Sequence, residues 1–292
     1  MHHGSHAIKL CDMTLKITPI TPALGAEISG VDLSAPLSNA DFDAVHDALV
    51  THSLLVFRDQ DLSPKAQVEF SRRFGLLMIH VLKEALIEDQ PEIYKVSNLT
   101  EDGKPKGRAY AGQYWHSDLT YEPRPSLGSV LYGVQVPECG GDTLFASTAN
   151  AYETLSPAMQ EFLDGLTAEH HFAHAFRGGS NPAARKGDPL DERPPVNHPI
   201  VRTHPESGRK CLFVNEGFTV KINELSASES TNLLAFLCDH MSRPQTVLRH
   251  RWQNGDAVLW DNRALVHRAV DDYGDNSPRH MHRTTIEDLA EY

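Results

Sequence analysis

The sequence predicts a mainly β fold with flanking helices, a sandwich or jelly roll whose mouth is a usual place for a site. Three observations carry this. Short apolar runs rich in β-branched and aromatic residues recur along the chain. Helix starts are few and do not alternate regularly with those runs, which argues against a doubly wound sheet. No internal repeat or interdomain linker divides the 292 residues, so 13–292 reads as one domain.

Each element has a local reason. Ser38-Asn39 can cap a helix that carries Phe42, Val45 and Leu49 on one face. Leu54-Leu55-Val56-Phe57 follows as a strand. Ser63-Pro64 starts a second helix, because a capping hydroxyl and a first-turn proline both suit a helix start, with Phe70 and Phe74 inward. Ile93-Tyr94-Lys95-Val96 and Val130-Leu131-Tyr132-Gly133-Val134 read as strands. Ser156-Pro157 opens a third helix with Met159, Phe162 and Leu163. Leu212-Phe213-Val214 is a further strand. Ser226 through His240 gives a fourth helix with Leu233, Leu234 and Leu237, and Ala257-Val258-Leu259-Trp260 a last buried strand. Three segments read as loops: Leu82 to Gln90, Thr100 to Gly112, and the Gly-, Pro- and charge-rich Arg177 to Pro195, which suits a lid or a surface excursion.

Composition narrows the function classes. At 40% hydrophobic and 23% charged, the profile is that of an ordinary soluble domain. A net charge of −12 argues against general nucleic-acid binding, which needs a basic stripe, yet leaves room for an anionic small molecule held by a few pocket arginines. The cysteines, Cys11, Cys139, Cys211 and Cys238, form no CxxC pair, so no zinc site or disulfide framework is expected and a reducing cytoplasmic setting is simplest. No apolar run approaches the ~18 residues of a membrane span, so no membrane partner is expected. The opening Met1-His2-His3-Gly4-Ser5-His6 reads as part of an expression-tag remnant over 1–12, with native sequence from near Met13, and its histidines are set aside.

The chemistry concentrates in Trp115-His116-Ser117-Asp118 and, far downstream, His267. In a strand, side chains at i and i+2 share a face, so His116 and Asp118 can aim at one ion while a third ligand comes from a distant strand. His267 is the candidate, since it follows Trp260-Asp261-Asn262-Arg263, where a buried strand ends in a polar turn. Two imidazoles and one carboxylate leave open positions on a divalent first-row ion, the arrangement of non-haem Fe(II) oxygenases. Taken alone, an H-x-D match arises often by chance in a chain with 17 histidines. Other histidines compete. His170, His171 and His174 cluster without a carboxylate at suitable spacing and read as partly exposed or pocket-lining. His198 and His204 read as structural, and His250, between Arg249 and Arg251, as exposed. His280 and His282 bracket Met281 beside two arginines, Arg279 and Arg283. These arginines are four apart and share a face if the segment is a strand. A guanidinium fork matches a carboxylate or sulfonate bidentately. Thr143, after the turn Cys139-Gly140-Gly141-Asp142, can add a hydroxyl.

In order and together, these pieces resemble the taurine dioxygenase (TauD/TfdA) family of Fe(II)- and 2-oxoglutarate-dependent dioxygenases. The likeness runs from Ile17 to Asp288. Leu24 through Leu33 is similar to the family's opening hairpin, and Phe70-Ser71-Arg72-Arg73-Phe74-Gly75 to its early helix end. Trp115-His116-Ser117-Asp118 matches its H-x-D box, and Gly140-Gly141-Asp142-Thr143 its 2-oxoglutarate threonine. Trp260-Asp261-Asn262-Arg263, His267, Arg279 and Arg283 complete the pattern. The resemblance implies a double-stranded β-helix (jelly-roll) core of the clavaminate synthase type. It implies Fe(II) on His116, Asp118 and His267, 2-oxoglutarate at Thr143, Arg279 and Trp260, and O2 as oxidant. The implied reaction turns 2-oxoglutarate into succinate and CO2 and hydroxylates a C–H bond. Where a heteroatom is attached, the product collapses to a carbonyl compound and a leaving group. A homo-oligomer, dimer or tetramer, is implied as well.

The same resemblance places His80, Phe176, Phe218 and Arg283 at the substrate, and Leu212 through Thr219 is close to the taurine enzyme. Two departures weigh against taurine itself. Lys83 stands near a tyrosine position of that enzyme, and Gly112 or Gln113 near an asparagine position, both beside the amine. Gln113 through Asp118 and Pro194-Pro195-Val196-Asn197 look more like the aryloxyacetate branch. The expected substrate is a small anionic organic molecule, foremost a sulfonate such as taurine, with an aryloxyalkanoate or alkylsulfate as the alternative. Hydroxylation of a biosynthetic intermediate to a stable alcohol is a third role. A non-catalytic jelly-roll binding protein and a simple zinc hydrolase are the readings from other classes, and the hydrolase leaves Arg279 unexplained.

Overall fold

The computed structural model describes residues 14–109, 111–174, 193–274 and 277–290. The first strands are β1 (Lys16–Pro19), β2 (Ala26–Ser29), β3 (Leu54–Phe57), β4 (Leu86–Ile87) and β5 (Gln90–Ser97). A small hairpin follows, β6 (Thr100–Glu101) and β7 (Lys104–Pro105), then β8 (Ser126–Gln135) and β9 (Thr143–Ser147). The middle of the chain adds β10 (Thr167–His170), β11 (Val196–Pro199), β12 (Val201–Thr203), β13 (Lys210–Leu212) and β14 (Thr219–Ile222). The last strands are β15 (Val247–His250), β16 (Ala257–Asp261), β17 (Leu265–Ala269) and β18 (His280–Glu287).

Serine caps start the helices. Ser38 accepts from Asp41 N–H at the head of α1 (Asn39–His52), and Ser63 from Ala66 N–H at the head of α2 (Pro64–Arg72). A short α3 (Thr148–Glu153), not anticipated from sequence, is capped by Ser147. Ser156 caps α4 (Pro157–Leu163), and Ser226 with Glu229 forms a capping box on α5 (Ala227–Met241). Some expectations change. Phe162 on α4 points to solvent at 49% exposure while Leu163 is fully buried. Leu212 ends β13, leaving Phe213 and Val214 beyond it. The segments read as loops at 82–90 and 100–112 hold β4 and the β6–β7 hairpin. The tag reading of 1–12 and most of the 177–195 lid reading lie outside the described residues.

An eight-stranded sheet, ordered β1-β2-β3-β16-β8-β18-β5-β4, packs against a three-stranded sheet, β15-β9-β17. Only β2 and β3 pair in parallel among these strands. This is the double-stranded β-helix. The two-residue period of a strand sorts its side chains between two cores. On β3, Leu55 and Phe57 face α1 and α2, whereas Leu54 and Val56 face the smaller sheet. On β16, Ala257 and Leu259 take the helix side, and Val258 and Trp260 the inter-sheet side. Phe145 of β9 and Leu265 of β17 close the inter-sheet core from the other wall. A third cluster gathers α3, α4 and α5 around Leu212, Val214 and Ile222. Among the described residues, no helix is long and apolar enough to cross a membrane.

Phe145 is fully buried in the inter-sheet core. Phe145→Ala is expected to lower unfolding free energy by about 3–5 kcal/mol in a denaturant titration, whereas Phe162→Ala, on an exposed helix face, should cost less than about 0.5 kcal/mol.

Candidate metal centre

Strand alternation aims the candidate residues into one cavity. His267 shares the inward face of β17 with Leu265, Thr143 that of β9 with Phe145, and Trp260 that of β16 with Val258. On β18, Arg283 lies on the side of Met281, which is the inter-sheet side. Arg279 precedes β18, and a register shift lies between His280 and Met281, yet both arginines line the same space.

His116 lies outside the named strands but pairs with His267 like a strand residue. Their backbones exchange both hydrogen bonds, His116 N–H to His267 O at 3.0 Å and the reverse at 2.7 Å. The two imidazoles end with ring centroids 4.1 Å apart. Gly112 makes room for this, with φ at +74° and a position where an added Cβ would meet His116 Cε1 at 2.7 Å. Asp118 follows two residues on. Its Oδ1 lies 3.9 Å from His116 Nε2 and 4.0 Å from His267 Nε2, and one ligand atom from each residue falls within 4.8 Å of the others. All three side chains are buried.

The donor chemistry of this set fits a divalent first-row ion. His116 Nδ1 lies 2.9 Å from Tyr114 O, and a carbonyl only accepts, so Nδ1 carries the proton and Nε2 presents its lone pair. Burial pushes His116 below its usual pKa against the opposing pull of Asp118. Burial, and then the neighbouring His116 and Arg283, hold His267 well below it too. Its ring is set by packing against Trp260, 4.8 Å away, and Phe145, 6.0 Å away. Burial alone would raise Asp118, but Arg283, His267 and His116 outweigh it and hold the carboxyl well below the usual range. Two neutral nitrogen donors and one ionised oxygen donor are what Fe(II) sites of this type use.

Asp118 is held from behind. Ser129 Oγ donates to its Oδ2 at 2.8 Å, and Asn262 Nδ2 approaches the same oxygen at 3.4 Å. Asn262 Oδ1 accepts from Trp260 Nε1 at 2.9 Å and from Asp118 N–H at 3.3 Å. Arg283 Nη1 lies 3.2 Å from Asp118 Oδ1.

The cavity has two lobes that meet at Ala111, Gly112, His116 and Arg283. One is lined by Thr143, Trp260, His267 and Arg279. The buried Arg279 donates through Nε to Gly141 O at 3.1 Å, and Thr143 Oγ1 accepts from Trp252 Nε1 at 3.0 Å. The other lobe, about 560 Å³ including its open mouth, is lined by His80, Tyr94, Tyr121, Phe172 and Phe218, a size suited to a small organic molecule. His80 and Phe218 thus both line it, while Phe176 lies outside the described residues. Lys83 is exposed and does not line the lobe, which instead holds Tyr94.

Two histidine expectations are corrected. His250 is buried, not exposed, because β15 turns it inward with Leu248 and its Nε2 lies 3.2 Å from Asp256 Oδ2. His170 is fully enclosed against His198 and Phe213 and is not a pocket residue.

A sequence model of the family described as Taurine catabolism dioxygenase TauD, TfdA family matches residues 16–285. The chain belongs to that family. It is 34% identical to the alpha-ketoglutarate-dependent 2,4-dichlorophenoxyacetate dioxygenase of Cupriavidus pinatubonensis, over 95% of this chain and 99% of that one. It is 35% identical to the alpha-ketoglutarate-dependent sulfonate dioxygenase of Saccharomyces cerevisiae, over 94% of this chain and 69% of the yeast protein. The crystal structure of AAD-2 with Mn(II) and N-oxalylglycine superposes with a TM-score of 0.80 at 30% identity, covering 95% of this chain and 99% of that one. A taurine dioxygenase from Burkholderia xenovorans gives a TM-score of 0.79 at 32% identity, covering 94% and 89%. This TauD/TfdA member is an Fe(II)- and 2-oxoglutarate-dependent dioxygenase, an oxidoreductase that uses O2.

Sequence reasoning missed Ser129, Trp252, Tyr94 and Arg108. For Ser129 on β8 and Tyr94 on β5 the only signal is strand alternation, which marks a face without saying what that face meets, and Trp252 and Arg108 lie outside the named strands and carry no such signal. Asn262 lies inside the Trp260-Asp261-Asn262-Arg263 motif, which by itself assigns it no role. Asn262→Ala removes one of the two side chains behind Asp118. It is expected to weaken Co(II) binding by about 10- to 100-fold in an anaerobic titration, with a native circular dichroism spectrum. Wild-type Co(II) affinity in that variant would count against a role for Asn262.

Proposed function

We propose that this enzyme oxidises a carbon next to a heteroatom in a small anionic organic substrate. His116, Asp118 and His267 hold Fe(II), Thr143 and Arg279 receive the far carboxylate of 2-oxoglutarate beside Trp260, and His80, Phe218 and Arg283 receive the substrate. One observation carries this reading: a single cavity, floored by a buried His-Asp-His set, has Arg279 in one lobe and Arg283 at the junction with the other.

Each residue has a physical task in this reading. Arg279 is a buried guanidinium, and among the described residues no carboxylate forms an ion pair with it. A buried unpaired charge is costly, so a ligand carboxylate is the natural counter-ion. Thr143 already accepts a hydrogen bond from Trp252, which leaves its own hydroxyl proton to donate into the cavity. Asp118 stays ionised and the two imidazoles stay neutral, so the donor set is ready at neutral pH. Fe(II) held there supplies O2 activation coupled to oxidative decarboxylation of 2-oxoglutarate to succinate and CO2. Tyr121, Phe172 and Phe218, packed within 4.8–6.3 Å of one another, form an apolar wall that excludes water beside the reacting carbon.

For the head group, a sulfonate is the leading reading, released as sulfite with an aldehyde. The likeness to the yeast sulfonate dioxygenase supports it. The aromatic wall favours a second reading, an aryloxyalkanoate that releases a phenol, in line with the likeness to the 2,4-dichlorophenoxyacetate enzyme. An alkylsulfate, releasing sulfate, fits the same lobe. An ammonium as in taurine fits less well, since Asp118 is the one carboxylate lining the lobe among the described residues. A single catalytic domain over 13–292, a cytoplasmic setting and a homo-oligomer belong to the same reading.

The test is a panel of sulfonates, alkylsulfates and aryloxyalkanoates, read as succinate together with sulfite, sulfate or phenol. Matched release of succinate and one leaving group is expected, and succinate formation indifferent to every member would reject the substrate reading. His116→Ala and Asp118→Ala are expected to lose Fe(II) and turnover while keeping the fold. Arg279→Ala should raise the KM for 2-oxoglutarate by at least about 10-fold, whereas Arg283→Ala should raise mainly the KM for the substrate.

A further inference from the structure

Arg279 is held at two points besides its place in the cavity wall. Its backbone is fixed by Asn98, whose Oδ1 accepts from Arg279 N–H at 2.8 Å and whose own N–H donates to Arg279 O at 3.1 Å. Its guanidinium is fixed by Gly141, whose carbonyl accepts from Nε at 3.1 Å. A guanidinium is planar, so a bond at Nε sets the plane of the fork and leaves both Nη groups to meet a carboxylate. Whatever places the Gly141 carbonyl therefore places the fork.

That carbonyl is placed from behind. Gly141 N–H donates to Asp272 Oδ1 at 2.8 Å, so the residue is gripped at both ends, by Asp272 and by Arg279. Asp142, the next residue, accepts through its backbone O from Val270 N–H at 2.9 Å, which ties the two turns together a second time. The approach is close because Gly140 has no side chain. An added Cβ there would lie 2.5 Å from Asp272 O, and its φ of +80° favours glycine. Arg249 then clamps both turns from outside, with Nη2 on Asp272 Oδ2 at 2.7 Å and Nε on Asp142 Oδ2 at 2.5 Å. The Arg249 and Asp272 side chains are 46% and 40% exposed, and an ion pair that open to solvent adds little stability. Its use is positional.

We infer that Asp272 is a positioning residue for the cosubstrate: through Gly141 it orients Arg279 toward the far carboxylate of 2-oxoglutarate. This rests on the reading that Arg279 receives that carboxylate. The test is calorimetric titration of 2-oxoglutarate, and separately of 2-oxovalerate, into the anaerobic Fe(II)-loaded enzyme. 2-Oxovalerate keeps the 2-oxo acid end and carries a methyl group in place of the far carboxylate, so the ratio of the two affinities isolates that carboxylate. Asp272→Ala should weaken 2-oxoglutarate by about 5- to 20-fold, with the affinities for 2-oxovalerate and Co(II) within about 2-fold of wild type. Asp272→Asn should recover most of the loss, because its amide oxygen still accepts from Gly141 N–H. A wild-type ratio in Asp272→Ala, or equal weakening of both 2-oxo acids, would overturn the inference. Arg279→Ala separates the two claims. A ratio that collapses there but not in Asp272→Ala rejects the role of Asp272 alone, whereas a ratio that survives Arg279→Ala rejects the placement of the cosubstrate and this inference with it.

Discussion

The two-way backbone bridge between His116 and His267 governs the site. It is made of peptide groups, so the spacing of the two imidazoles follows from the geometry of an antiparallel pair and not from either side chain's freedom. The bridge joins a segment without regular strand structure to β17, whose register against β9 sets His267 opposite Phe145. Asp118 is then carried to the same centre by its distance of two residues from His116. A loop that supplies two donors is thus as well placed as a strand, because one of its peptides is a strand member in all but length.

A second constraint lies under the first. The turn between β16 and β17 is pinned by charges: Arg263 holds both Asp261 oxygens at 2.7–2.9 Å through Nε and Nη2, His204 Nε2 lies 2.9 Å from Asp261 Oδ2, and the same Arg263 Nη2 also donates to Glu206 at 2.7 Å. Burial would raise Asp261, but Arg263 and His204 outweigh it and keep the carboxylate ionised. Buried pairs of this kind add little net stability against apolar replacements, but breaking one leaves an uncompensated charge. Their use here is to fix the backbone that presents Asn262 to Asp118, so the network acts on the centre without touching it.

Much of this was legible in the sequence, for a physical reason. Serine caps and two-residue alternation are local rules, so α1, α2, α4, α5 and the central strands fall where their residues predict. The convergence of His116, Asp118 and His267 is not local, and it was readable because the ordered motif set resembles a family. Alternation also explains the misses. It showed that His250 and its arginine neighbours lie on opposite faces of β15, but not which face is the core. Arg249 proves to be the outward one, bound to Asp142 and Asp272. The partners of Asp118, Thr143 and Tyr94 come from distant segments, and no spacing rule in one chain predicts such contacts.

The register shift between His280 and Met281 has a consequence for how this pocket can diversify. Downstream of it, Met281 and Arg283 take the inter-sheet side of β18, and Arg283 reaches the cavity. A single inserted or deleted residue between the shift and Arg283 would swap inside for outside and turn the guanidinium into the α2 side of the sheet. New substrate preferences on this scaffold are therefore reached by exchanging side chains in place, or by rebuilding loops that carry no such parity, and hardly ever by lengthening the strand.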